Sequence, residues 1–536
     1  MVVSADALAS DAGLTLLKKG GNAVDAAVAT TFAISVTEPQ SAGLGGGGFL
    51  LLRLGQTGEM KALDFRERAP LAATRMMYLD AQGKVRPKAS TDGYLAVATP
   101  GTVAGLQEVH RRYGKLPWKA VVAPSIQLAE EGFLVNPGLV NAIARQQTLQ
   151  NNPAARQIFT RNGKPLSIGD RLVQRDLAQT LRAIAQDSQS FYTGKVGQAI
   201  SQDLQANGGL ITLQDLKQYR PIWREPVCGL FRVFRVCSMP PPSSGGVHLL
   251  QMLNMVGNAD LKVQGWHHPD TLHLLVEIMR IAYRDRAEYL GDPDFVKIPV
   301  AALISPAYAQ QRRQEIDLQK ARPSNQVRLL DPRALEQINR IKESNDTSHL
   351  SVVDAAGNAV SLTFTVNLGF GAGVVASGTG IVLNNEMDDF ATAPGVPNAF
   401  GLVGQDANAI APGKTPLSSM TPTIVTEKDQ LRLVVGAPGG STIITTVLQI
   451  VLNVLVYEMD VEKAVAAPRL HHQWLPDAVI VETIGFDTLT LAELRRRGHT
   501  LQERAGWGNA MAIFRANDGM LKGAADPRGE GAASGF

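Results

Sequence analysis

The stretch ESNDTSHLSVVD, Glu343 to Asp354, changes character at one residue. A charged, turn-prone run stops at Asp346 and an alternating strand pattern starts at Thr347. A threonine hydroxyl is a poor nucleophile unless a base lies within reach. Making the threonine the first residue of a chain solves this, because its own α-amine then takes the proton. At position 347 that solution requires cleavage of the Asp346–Thr347 bond. A polar loop running into a rigid strand is a place where such a cut can be strained and tolerated. Thr347 is therefore a candidate nucleophile, weighed against the plain fact that many strands begin after loops.

A second feature strengthens the case. LRLVV, Leu431 to Val435, reads as a strand, followed by Gly436-Ala437-Pro438-Gly439-Gly440 and a helical pattern from Ser441. Such a junction leaves backbone N–H groups free at a helix N-terminus, where the dipole favours an anion. Gly439 and Gly440 thus have the composition of an oxyanion hole, in which one donor is worth roughly 3–4 kcal/mol. Binding groups come from elsewhere. Asn384-Asn385-Glu386-Met387-Asp388-Asp389 offers carboxylates for an ammonium, and Ser418-Ser419 offers two hydroxyls in a loop between Pro416 and Pro422. The acidic run lacks the glycine and spacing of an EF-hand loop, so calcium is the weaker option. Arg66, directly after a strand pattern, can grip a carboxylate with two N–H groups. His471 and His472 are adjacent, so their side chains diverge and suit core hydrogen bonding better than chelation. His349, on the Thr347 face, is read either as an aid to cleavage or as structural.

The elements that must hold these residues follow from pattern. SHLSVVD and AVSLTFTVN flank a turn at Asp354 to Asn358 and form a hairpin. Ser361, Thr363, Thr365 and Asn367 then share one face, with Thr365 and Asn367 near the Thr347 end. Ser4 to Lys19 has helical spacing and ends at Gly20-Gly21, and Asn22 caps a second helix, AVDAAVATTFAISV. FLLLRL and MKALDF read as strands, Gly101 to Leu216 is mostly helical, and SMPPPSSGG is a rigid turn into another helix. Lys320 to Asp346 is polar and weakly patterned, as an exposed, flexible segment would be. Helices in runs followed by strands in runs indicate a layered α+β architecture. Gly43-Leu44-Gly45-Gly46-Gly47-Gly48 satisfies G-x-G-x-x-G, but Pro39 and Gln40 precede it and a strand follows. A dinucleotide site is rejected in favour of a tight loop packed closely on another part of the chain.

The chain has 536 residues, 45% hydrophobic and 19% charged, with a formal net charge of +3. That supports a large layered core. The charges are scattered, with no basic stripe carrying interleaved aromatics, which argues against nucleic acid as a partner. The longest apolar run, Ile443 to Tyr457, contains Gln449 and Asn453, is short of a membrane span and reads as a buried helix. Cys228 and Cys237 flank GLFRVFRV and either bridge across a hairpin or remain two thiols; neither has metal-ligand spacing. No basic segment followed by an apolar core opens the sequence, so no secretory signal is read and an upstream segment is expected to have been trimmed.

The longer motifs match a family. TSHLSVVDAAGNAVSLTFTVN, GIVLNNEMDDF, PLSSMTPTIV, GAPGGS and APRLHHQW closely resemble γ-glutamyltranspeptidases, also called glutathione hydrolases. In the first half GGNAVDAAVA, EPQSAGLGGGGF, LDFRERAP, ATPGTVAGL and MPPPSSGG agree, so the resemblance covers nearly the whole chain. It implies a four-layer αββα sandwich of the N-terminal-nucleophile hydrolase type. A single precursor would cut itself before Thr347 into a large subunit, residues 1–346, and a small subunit, residues 347–536, intertwined in one unit. The resemblance further implies that Thr347 attacks the γ-glutamyl carbonyl, that Thr365 orients it, and that the Gly439 and Gly440 amides hold the oxyanion. Arg66, Ser418 and Ser419 would bind the donor's α-carboxylate, and Asn367, Glu386 and Asp389 its α-amino group. The glutamyl ester would pass to water or to the amine of an amino acid or dipeptide, without metal or organic cofactor.

Phe400 falls where family members often carry Tyr, or in some cases Trp, in a lid after the Met-Asp-Asp-Phe motif. A phenyl ring covers a pocket but donates no phenolic hydrogen bond. Export to the periplasm or cell surface is also implied. The alternative on the same fold is an acylase for glutaryl-type β-lactam side chains, whose α-amino pocket would be weakened; the acidity of both Glu386 and Asp389 favours glutamyl. A non-catalytic binding protein on this scaffold is the reading from another class, and the intact set of Thr347, Thr365, Gly439 and Gly440 speaks against it.

Overall fold

Thr347–Val353 and Ala359–Thr365 pair antiparallel, in a register that sets Thr347 opposite Thr365. The computed structural model describes residues 1–326 and 346–536. This hairpin lies inside a seven-stranded sheet in the order Ala532–Ser534, Val2–Ser4, Thr347–Val353, Ala359–Thr365, Gly47–Arg53, Met60–Phe65, Ile222–Arg224. A second sheet of six strands runs Leu521–Ala525, Met511–Arg515, Gln430–Gly436, Thr423–Glu427, Phe234–Ser238, Val227–Phe231. The sheets stack face to face with helices outside each, giving the αββα layering expected of an α+β protein.

Strand alternation decides which side each residue serves. Leu350, Val352, Leu362 and Phe364 point to the outer helical layer, packing with Ala23–Thr37, every residue of which is buried. The opposite face of the same strands meets the second sheet and carries hydroxyls that tie the sheets together. Ser351 Oγ donates to Met511 O at 3.1 Å, and Ser361 Oγ to Val435 O at 3.1 Å. Thr347 and Thr365 stand at the end of this inter-sheet face. The apolar part of the layer is filled by residues such as Phe49, Leu51, Ile424, Val434 and Ile513.

The glycine run before Gly47–Arg53 has a steric purpose. A Cβ on Gly46 would lie 1.8 Å from Thr365 O, and one on Gly48 2.3 Å from Thr363 O. Bare backbone therefore lets this strand lie beside Ala359–Thr365, as the packing reading of the decoy motif required.

Local expectations held with corrections. Asn22 caps Ala23–Thr37 in a capping box with Asp25. The first helix is Ala7–Lys18 rather than starting at Ser4, because Val2–Ser4 is a strand paired on both edges and Asp6 Oδ1 caps Ala9 N at 3.0 Å. Ala359–Thr365 ends before Asn367, whose φ of +78° turns it out of the strand face it was read to share. After Gly439 a 3-10 turn, Gly440–Thr442, precedes the buried helix Ile443–Leu455. The start of the segment read as exposed is packed: Ser324 is buried and Ala321 N donates to Arg497 O at 2.7 Å. Residues 327–345, with the flexibility expected there and for Glu343 onward, lie outside the described residues. Cys228 and Cys237, opposite each other in a hairpin, form a disulfide. Among the described residues no helix is long and apolar enough to cross a membrane.

Gly46→Ala is expected to force the strand off Thr365. The variant should lose about 1–3 kcal/mol of stability and cut far more slowly before Thr347, checked by thermal unfolding and by the band pattern on a denaturing gel.

Candidate active site

Thr365 Oγ1 is the centre of the cluster at the strand ends. It lies 3.1 Å from Thr347 Oγ1, donates to Asp346 O at 3.0 Å, and accepts from Asn367 N at 2.8 Å. With its single proton on the Asp346 carbonyl, Thr365 accepts from the Thr347 hydroxyl. One side chain thus polarises the carbonyl preceding Thr347 and draws on the Thr347 proton. Asn367 itself has a positive φ, tolerable for asparagine, which turns the chain directly after its N–H has bonded Thr365. Asn367 Nδ2 is held by Asn385 O at 3.0 Å.

Facing this pair is the glycine turn. Gly439 has φ +130° and Gly440 φ +53°, backbone conformations that favour glycine. Among the described residues no acceptor engages the N–H of either. Thr442 fixes the turn through Gly439 O, by N–H at 3.0 Å and by Oγ1 at 2.7 Å. A Cβ on Gly440 would lie 2.4 Å from the Phe400 ring, so the lid residue rests directly on the turn. Phe400 is itself 4% exposed, with its carbonyl held by Gln473 Nε2 at 3.1 Å. The loop is anchored by Asn398, whose Oδ1 accepts from Phe400 N and whose Nδ2 donates to Asp389 Oδ1 at 3.0 Å.

Thr347, Thr365, Asn367 and Gly440 line one cavity with Arg66, Glu386, Asp389, Ser418, Ser419 and Phe400. Arg66 is 1% exposed and pairs with Glu386 Oε1 at 2.6 Å and Asp389 Oδ2 at 2.5 Å. Burial alone would lower its pKa, but Glu386, Asp389 and Glu67 hold the guanidinium charged. Burial pushes the Glu386 carboxyl well above its ordinary range against the pull of Arg66. Each seryl hydroxyl accepts one hydrogen bond, Ser418 Oγ from Met420 N at 3.1 Å and Ser419 Oγ from Arg286 Nη2 at 3.2 Å. The cavity therefore offers cation and hydroxyl donors beside carboxylates, a lining that suits a zwitterion, and places the Thr347 hydroxyl and free amides at its end.

Each residue singled out from sequence for the reaction lies in or beside this cavity except His349. That ring is buried, bonded to Thr363 Oγ1 at 2.8 Å and Ser351 Oγ at 3.2 Å, and burial drives its pKa down to about 3, so it is a neutral inter-sheet contact. His471 and His472 are core residues bonded to Thr445 and Asp477. His273, Glu277 and His499 bring ligand-type atoms within 4.8 Å of one another. There His273 bonds His499 and Asp317 O, and Arg280 faces Glu277.

Sequence reasoning missed Glu67, which touches the charge cluster behind Arg66. It also missed Ser243 and Ser244 of the proline-rich turn, whose hydroxyls hold Met420 O and Ser418 O at 2.6 and 2.7 Å. The signal was present in the adjacent Arg66-Glu67 and in the paired Ser-Ser motifs.

Comparison with known proteins gives one answer. Residues 9–536 match the gamma-glutamyltranspeptidase family. The chain is 49% identical over 531 residues to the glutathione hydrolase proenzyme of Escherichia coli K12, covering 98% of this chain and 90% of that one. A cephalosporin acylase from Bacillus halodurans superposes with a TM-score of 0.87 at 30% identity, covering 100% of this chain and 95% of that one. The gamma-glutamyltranspeptidase of Helicobacter pylori gives 0.59 at 43% identity, over 60% of this chain and 93% of that one.

Glu67 supplies a pH test. Burial first, and then its acidic neighbour Asp389, lift its pKa from 4.5 to about 7 against the pull of Arg66. The native state therefore holds this proton more tightly than the unfolded chain. Its contribution is full below about pH 4.5 and falls as pH rises to about 7. Glu67→Gln should lose roughly 1–3 kcal/mol less than the parent across that window, measured by urea unfolding at a series of pH values.

Proposed function

This chain belongs to the gamma-glutamyltranspeptidase family, and on that premise we propose how its residues divide the work. The protein is a hydrolase and acyltransferase with glutathione and related γ-glutamyl amides as donors. In the precursor the Thr347 hydroxyl attacks the Asp346 carbonyl carbon. Its proton moves to Thr365 while the Thr365 proton moves to the carbonyl oxygen. As the tetrahedral adduct collapses, its new hydroxyl returns its proton to the nitrogen, the C–N bond breaks, the nitrogen leaves as an amine, and an ester joins Asp346 to Thr347 Oγ1. Water hydrolyses the ester, giving residues 1–346 with a terminal carboxylate and residues 347–536 with a free threonine amine. The observation that carries this reading is the Thr365 hydroxyl placed between the Thr347 hydroxyl and the Asp346 carbonyl.

In the mature enzyme the Thr347 amine takes the proton of its own hydroxyl. The alkoxide attacks the γ-carbonyl, the Gly439 and Gly440 N–H groups receive the oxyanion, and the amine product departs with the proton. Arg66, Ser418 and Ser419 hold the donor's α-carboxylate; Asn367, Glu386 and Asp389 hold its ammonium. Phe400 closes over the ester, which passes to water or to an amino acid or dipeptide amine. A periplasmic or surface location fits the Cys228–Cys237 disulfide, since such bonds persist in oxidising compartments.

The acylase reading is favoured by the high superposition score with the cephalosporin acylase and by two acylase proenzymes of Pseudomonas at 39% identity over 99% of this chain. Against it stand the two acids of the cavity, Glu386 and Asp389, which a donor lacking the amino group would leave with no cationic partner other than Arg66. γ-Glutamyl-p-nitroanilide should be cleaved at least tenfold faster than the glutaryl analogue in a release assay, and faster glutaryl cleavage would sink the assignment. Thr347→Ala should stay a single chain of 57.4 kDa and show no turnover. If that variant still yields two fragments, Thr347 is not the nucleophile.

A further inference from the structure

Helix Pro269–Tyr289 carries two side chains, about one turn apart, that bond to two segments bordering the cavity. Tyr283 Oη donates to Ser441 O, beside the glycine turn. Arg286 Nε donates to Ser244 Oγ at 3.0 Å and Nη2 to Ser419 Oγ at 3.2 Å. Ser244 Oγ in turn donates to Ser418 O at 2.7 Å, so one guanidinium braces both serines of the pocket.

Among the described residues, the Arg286 guanidinium has no carboxylate in contact. It is 5% exposed, and among the described residues it forms no salt bridge. Its two named partners are neutral hydroxyls. The neighbouring buried cation, Arg66, has its carboxylates at 2.5 and 2.6 Å. A buried guanidinium bonded only to neutral groups is costly, and an arriving anion offsets that cost. Burial lowers its pKa and nearby Arg66 acts the same way, while Tyr283 and the Asp389 carboxylate oppose them, the direction in which an incoming carboxylate would add.

Hydrogen-bond polarity gives the charge a direction. Because Arg286 donates to Ser419 Oγ, that hydroxyl is left to donate its own proton elsewhere. Met420 N imposes the same polarity on Ser418 Oγ at 3.1 Å. Both hydroxyls line the cavity as prepared donors. We propose that Arg286 is a positioning residue for the donor's α-carboxylate, holding Ser419 as a hydrogen-bond donor and supplying from behind it a positive charge that the bound carboxylate balances. This rests on the reading that the cavity takes a γ-glutamyl head group.

The test is steady-state cleavage of γ-glutamyl-p-nitroanilide by purified, self-cut Arg286→Met and Arg286→Lys, with chain cutting and thermal unfolding recorded for each. Arg286→Met should still cut, raise KM by about 10- to 100-fold and leave kcat within about threefold, as for a lost hydrogen bond to a charged group. Arg286→Lys, which keeps the charge, should recover part of the KM. An unchanged KM in a cut Arg286→Met enzyme overturns the proposal, as does a fall in kcat without a rise in KM. Failure of both variants to fold and cut makes Arg286 a structural residue and also overturns it. An inactive parent protein would instead contradict the functional reading itself.

Discussion

The hydroxyl of Thr365 is the point on which the arrangement depends. It has one proton and two lone pairs, and the antiparallel register sets it opposite Thr347. Asn367 N and Thr347 Oγ1 fill its acceptor side, and Asp346 O takes its proton. For that geometry to exist, the strand on the other side must approach as bare backbone, which is why Gly46 and Gly48 stand against Thr365 O and Thr363 O. The inter-sheet layer must also accept polar residues, and it does so by bonding Ser351 and Ser361 to carbonyls of the second sheet. Hydroxyl chemistry at the strand ends is an extension of the hydroxyl packing that holds the sheets together.

The second constraint is electrostatic. Arg66, Glu386, Glu67 and Arg286 are almost wholly buried around one small cavity. Such charges are expensive to desolvate unless paired, and the pairing here is uneven. Arg66 has two carboxylates, whereas Arg286 has two serines. A ligand carrying both a carboxylate and an ammonium would redistribute these pairings, drawing its recognition from charges already present. The Phe400 loop is tied to the same cluster, because Asn398 connects it to Asp389. Phe400 contributes a ring against Gly440 and leaves polar anchoring to the neighbouring asparagine.

Much of this was legible in the amino-acid order. Period-two alternation around a short turn revealed the hairpin and put Thr347 beside Thr365, because register in a tight hairpin leaves little freedom. Gly-Gly after a strand marked the glycine turn at the cavity's end, and Asn22 marked a helix start. Other features depended on long-range packing. Asn367 leaves its strand through a positive φ that alternation does not encode. His349 looked available for chemistry until the second sheet closed over it. Arg286 lies in RDRAEYL, a charged run that carries no local mark of a site, and only the docking of that helix against the Ser418-Ser419 loop buries it. Ser243 and Ser244 sit more than 170 residues from the loop they brace, so spacing could not have connected them.

The central claim is that the chain breaks itself at one bond, converting Thr347 from an interior residue into a terminus whose amine activates its own hydroxyl. The most direct measurement is the N-terminal sequence, with the intact mass, of the smaller fragment of the purified protein. The account predicts a fragment reading Thr-Ser-His-Leu-Ser from Thr347 and a mass matching residues 347–536. A chain that remains whole, or a fragment beginning at any other residue, would contradict it.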